Sequence, residues 1–209
     1  MAEKALVPTT LSMGDSMVGS LFQGMSEEPW RPTREQLLAA AGGTVEDVIA
    51  PGLRVLFVGI NPGLYTAAIG HHFGRPGNRF WPLLYRSGFT PRQFSPFEER
   101  ELLPLGLGIT NFVARATAAA AELSNDEVRA GGRILEGKVL AFAPGYVAFV
   151  GMQSYRVGFN RPKAGVGLQP EAMGASRLWV LPNPSGLQAH YQLPELTRLF
   201  TELREASIG

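Results

Sequence analysis

The fold class this sequence predicts is a three-layer α/β/α sandwich on a short, mainly parallel central sheet, and three observations carry the expectation. Short, nearly continuous apolar runs (RVLFVGI at 54–60, YVAFVG at 146–151, RLWVLP at 177–182) have the pattern of strands covered on both faces. Helical stretches alternate with them, as a parallel sheet with crossover connections requires. No repeat or low-complexity linker interrupts residues 31–209, so one domain is expected there. Residues 1–30 lack sustained periodicity and are expected to form a weakly ordered N-terminal extension.

Each element has a local reason. Thr33 ahead of REQLLAAA predicts an N-cap and a short helix over 33–41. The run at 54–60 is the first strand, and a long loop rich in Gly and Pro follows it. FWPLLYRSG at 80–88 predicts a helix stopped by Gly88, with Pro82 tolerated in its first turn. LGIT at 107–110 is the second strand. Ser124 and Glu127 have the spacing of a capping box, which opens a helix running to about Phe142. Pro144 and Gly145 separate that helix from the third strand, and 177–182 is the fourth. LPELTRLFTELREA, at 193–206, closes the chain as an amphipathic helix.

Composition removes several classes of function. None of the 209 residues is cysteine, which excludes disulfides, Cys-ligated zinc and iron–sulfur clusters. No apolar run is long enough for a transmembrane helix, and no secretory h-region with a cleavage site is present, so a cytoplasmic location is expected. A net charge of +1 argues against a chain coated with nucleic acid. The charge is uneven, however. Residues 1–50 hold 7 acidic and 3 basic groups, whereas residues 51–209 hold 11 and 16. Arg75, Arg79, Arg86 and Arg92 fall in a stretch, 61–93, without any acid, which is a local setting for phosphate binding.

Two Asn-Pro loops concentrate the chemistry. GINPG at 59–63 follows the first strand and PNPSGL at 182–187 follows the fourth. Ligands of open α/β sheets bind beyond the carboxyl ends of strands, where both loops emerge. Proline fixes each turn, and the glycines let backbone N–H groups approach a ligand closely. The glycine-rich dinucleotide and P-loop patterns are absent, so a nucleotide-binding protein ranks last.

GINPG, the downstream GNRFW at 77–81, AGGR at 130–133 and NPSGL at 183–187 together resemble the mismatch-specific uracil-DNA glycosylases, the bacterial relatives of thymine-DNA glycosylase. The resemblance spans roughly residues 54–206 and implies a monofunctional DNA glycosylase. Such an enzyme flips uracil, or thymine, out of G:U or G:T mismatches and hydrolyses its glycosidic bond. It implies duplex DNA and its abasic product as partners, acting as a monomer without metal or cofactor. By the same resemblance Asn61 positions the attacking water, as an amide that orients but does not titrate. The backbone around Ile60 and Phe73 stabilises the leaving base, Phe73 stacks on it, and Thr66 lies near the pyrimidine C5 position. Asn183 and Ser185 are candidates for base, sugar or phosphate contacts. Gly186 faces the widowed base, Leu187 is the wedge that fills the gap, and Gln188 and Arg79 contact DNA. Gln188, Ala189 and His190 depart from the family, which has an arginine nearby.

Further features carry paired readings. Glu122 either assists water activation or is a solvated charge at a helix entry. His71 and His72, without cysteine, make a poor metal site and are expected on the pocket rim, facing DNA or solvent. The four alanines at 118–121 and the missing arginine keep a second reading in view, a catalytically weak module that binds abasic or damaged DNA.

Overall fold

The computed structural model describes residues 31–186 and 191–209; the expected extension over 1–30, and Leu187, Gln188 and His190, lie outside the described residues. In chain order the elements are α1 (Arg34–Ala39), β1 (Val55–Gly59), α2 (Leu64–Ile69), α3 (Phe80–Arg86), β2 (Leu107–Asn111), α4 (Asn125–Phe142), β3 (Tyr146–Val150), α5 (Met152–Gly158), β4 (Gly167–Met173), β5 (Ser176–Leu181) and α6 (Leu193–Ala206). Two 3₁₀ segments, Pro96–Leu105 and Ala120–Glu122, flank β2 and precede α4.

Successive side chains of a strand point to opposite faces, and here both faces are covered. In β1, Val55 and Phe57 enter one apolar cluster with Phe80, Leu84, Phe200 and Leu203 of α3 and α6. Leu56 and Val58 enter another with Leu135 and Val139 of α4 and Tyr155 of α5. That division is the three-layer sandwich. Phe57 anchors the first cluster by edge-on contacts to Phe80 and Phe89, and truncating such a residue to Ala costs about 3–5 kcal/mol.

The strand order is β2-β1-β3-β5-β4. β2, β1, β3 and β5 run parallel, and β4 is antiparallel on the edge. The mainly parallel sheet expected from the sequence is therefore observed, with one strand more. β4 has the sequence GLQPEAM, without β-branched residues and with Pro170 at an edge position where no N–H is missed. α2 and α5 are also additions, each short and opening immediately after a strand-end turn.

The Ser124 cap forms as expected. Its hydroxyl accepts the N–H of Glu127, whose carboxylate accepts the N–H of Ser124, and α4 ends at Phe142. Because the four parallel strands share one direction, their carboxyl ends bring residues 60–63, 112–120, 151–154 and 182–186 to the same edge of the sheet.

Candidate active site

A cleft of about 280 Å³ opens at that edge, lined by Ile60, Asn61, Thr66, Phe73, Asn183 and Ser185 among others. Its size is near the lower end of ligand pockets, about 300–1,000 Å³, and suits a single base better than a larger ligand.

Asn61 is held by its amide nitrogen. Nδ2 donates to Thr117 Oγ1 at 2.7 Å, to the Arg115 carbonyl at 2.9 Å and to the Pro62 carbonyl at 3.2 Å. The hydroxyl of Thr117 donates to the Ala119 carbonyl, so it accepts from Asn61. This fixes which end of the amide is which. Oδ1 has no protein donor among the described residues and is left for a cleft ligand. Thr117, only 2% exposed, fixes the Asn61 amide from within a segment whose alanines carry no such signal.

Phe73 forms one wall. Its φ is +51°, an uncommon conformation for a bulky residue and one that concentrates at functional sites. Its ring stacks on Phe80 with centroids 3.9 Å apart. Thr66 is buried in α2, and its hydroxyl accepts the N–H of Gly74, tying the helix to the turn beyond Phe73. Ile60 leaves β1, and its carbonyl accepts the N–H of Val113. Gly59 makes room beneath: an added Cβ would lie 2.7 Å from Asn111 Oδ1 and 3.3 Å from the Phe73 ring.

Asn111 extends β2 one residue beyond the 107–110 run expected from the sequence. It lines the cleft from the carboxyl end of β2. A polar side chain at that end of a parallel strand beside β1 was the available signal. Its amide nitrogen faces His72 Nδ1 at 3.4 Å, while His72 Nε2 lies 3.0 Å from the Glu46 carbonyl. A carbonyl only accepts, so Nε2 carries the proton and Nδ1 receives from Asn111. His72 is 1% exposed, and burial pushes its pKa below the ordinary histidine value, against the opposing pull of Glu99. His72 therefore belongs to the interior and not to the DNA- or solvent-facing rim expected for it. Buried Glu99 accepts the His72 backbone N–H at 2.8 Å and bonds His71 Nδ1 at 2.9 Å.

The second loop forms the opposite wall. Asn183 Oδ1 accepts the N–H of Ser185 at 2.9 Å, an Asx turn within the loop. Gly186 lies against the turn that precedes α3, where a Cβ would meet the Gly77 carbonyl at 2.9 Å, and borders an adjoining cavity with Arg75 and Asn78. Arg79, expected to contact DNA, turns its guanidinium onto carbonyls of the second loop. Arg92 is paired with Glu98, whereas Arg75 is exposed at the cleft mouth. Glu122 is exposed, caps its own 3₁₀ turn through the Ala119 N–H, and is not among the residues lining the cleft.

The fold and cleft define an α/β protein with a small cleft between two strand-end loops. The Uracil DNA glycosylase superfamily matches the chain over residues 46–205, most of its length. The chain belongs to that superfamily. Membership makes it a DNA glycosylase, a hydrolase of uracil-like bases in DNA. Among the described residues no helix is long and apolar enough to cross a membrane.

Proposed function

We propose that the protein is a monofunctional, mismatch-specific glycosylase that excises uracil, and more slowly thymine, opposite guanine. The observation carrying this reading is the polarity of Asn61. With its NH₂ spent on Thr117 and two carbonyls, its Oδ1 is the acceptor offered to a water in the cleft.

In the proposed reaction the nucleotide swings out of the duplex and its base enters between Phe73 and the second loop. Asn61 orients a water toward C1′. The C1′–N1 bond breaks with its electron pair going to the base, and the water oxygen bonds C1′ as its proton passes to solvent. An amide does not take up that proton near neutral pH, so the chemistry leans on departure of a stabilised base anion and is slow. Backbone groups near Ile60 and Phe73, with Asn111, would hold the base oxygens and the ring N–H. Thr66 narrows the pocket against a 5-methyl group. Ser185, Gly186, Leu187 and Gln188 would meet the sugar-phosphate backbone and the widowed guanine. No lysine lies in either loop to form a Schiff base, which supports a single hydrolytic step ending at an abasic site. Glu122 would play no direct part unless its turn rearranges on DNA.

The test is single-turnover base release from matched duplexes bearing G:U, A:U or G:T, and from single-stranded uracil DNA, in EDTA. Release from G:U exceeding that from A:U supports the proposal. Equal release from every uracil substrate removes the mismatch preference. Tight abasic-DNA binding without release replaces the enzyme with the weak damage-binding module, to which the exposed alanines of the cleft wall would be suited.

A further inference from the structure

We infer that Arg79 is a positioning residue, a clasp that joins the rim carrying Phe73 to the second Asn-Pro loop and so sets the separation of the cleft's two walls. Its Nε donates to the Pro184 carbonyl at 3.1 Å, one terminal nitrogen to Ser185 at 2.7 Å and the other to Tyr191 at 3.0 Å. Its own backbone N–H also reaches Pro184, at 3.2 Å. One planar fork thus gathers carbonyls from both ends of the 184–191 stretch. Charge-assisted bonds of this kind are about twice as strong as neutral ones.

The clasp sits where the two walls begin. Arg79 immediately precedes Phe80, against which Phe73 stacks. On the other side it holds the carbonyls of Pro184 and Ser185, within the Asx turn made by Asn183. Gly77 and Gly186 meet beside it at a distance that excludes a Cβ. Lysine cannot reproduce this arrangement, because an ammonium is a point charge without the fixed fork. A phosphate contact at this position makes the opposite demand, since charge matters there more than planarity.

The kinetic consequence rests on the glycosylase reading; the geometry does not. The experiment compares wild type, Arg79→Lys, Arg79→Ala and Gly186→Ala in three readouts. These are the maximal single-turnover rate on G:U duplex at saturating protein, the salt dependence of abasic-DNA affinity, and amide exchange in the second loop against β3. A misplacement of about 1 Å costs about 10²-fold in rate, so both Arg79 variants should lose tenfold to about that much. The salt slope should stay unchanged, and faster exchange should be confined to the second loop. Gly186→Ala should reproduce the faster exchange of the second loop without touching the arginine, and that exchange, not the rate, carries the test with Arg79→Lys if Arg79→Ala does not fold. Full activity in Arg79→Lys, with a slope about one unit shallower in Arg79→Ala, would make Arg79 a phosphate contact and overturn the inference. Unchanged loop exchange in both Arg79 variants would overturn it as well. If wild type releases no base, the glycosylase reading falls and the exchange data alone judge the clasp.

Discussion

The two Asn-Pro loops look alike in sequence, and the structure uses their asparagines in opposite senses. Asn61 spends its NH₂ on residues more than fifty positions away and leaves its carbonyl to the cleft. Asn183 spends its carbonyl two residues along its own chain. The first amide is oriented by tertiary structure and can present an acceptor to a ligand. The second shapes a turn. In the proposed reading, equivalent motifs at equivalent strand ends divide the labour, one toward chemistry and one toward the form of the opposing wall.

The sharpest way to break this comparison is to remove each amide. Asn61→Ala should slow single-turnover uracil release by about 10²-fold, the cost of a misplaced attacking group, while abasic-DNA binding stays near wild type. A loss equally large in Asn183→Ala would erase the distinction. Thr117→Val keeps the shape but removes the acceptor that orients Asn61, and release should slow about tenfold, with a stability loss of about 1–2 kcal/mol for the two hydrogen bonds given up. An unaltered rate would mean the carbonyls of Arg115 and Pro62 suffice. Asn183→Ala should destabilise the fold by about 1 kcal/mol through the lost turn bond, seen in urea denaturation, with only a few-fold effect on release.

The smallest effect separates the loops by pH. Residues 182–186 contain no titratable side chain, whereas the first region is backed by His72. Burial lowers the folded pKa of His72 below its unfolded value of about 6.5. The unfolded chain therefore binds more protons as pH falls, and this contribution to stability is complete above that value. It drains away as pH drops from the unfolded pKa through the folded one. Thermal melts between pH 5 and 8 should show that loss in wild type and less of it in His72→Gln; identical profiles would reject the assignment.

Features governed by short-range rules were readable in the sequence. Apolar runs gave the parallel strands, the Ser124 and Glu127 spacing gave the α4 cap, and the Asn-Pro turns located the cleft. What escaped reading depends on partners far along the chain. The burial of His72 rests on Glu46 and Glu99, and nothing in an adjacent histidine pair announces them. Arg79 belongs to a basic stretch, where a charge reads as a DNA contact, and the carbonyls of Pro184, Ser185 and Tyr191 around it lie more than a hundred positions along the chain. Thr117 lay in a segment dominated by alanine, and Asn111 one residue past the expected end of a strand. β4 was hidden because an edge strand with one proline carries almost no apolar pattern.

The stack of Phe73 on Phe80 has a consequence for how such a protein searches DNA. One face of the Phe73 ring is already covered by its neighbour, and its backbone is held in a conformation that few alternatives share. Ordering a mobile side chain at the moment of contact costs about 0.5–1.5 kcal/mol. Here that cost falls on folding, once, and not on each encounter. If Phe73 receives the flipped base as proposed, the rate at which bases are sampled is governed by how readily each opens from its pair, and a mismatched base, opening more easily, is met more often by a surface that is always ready.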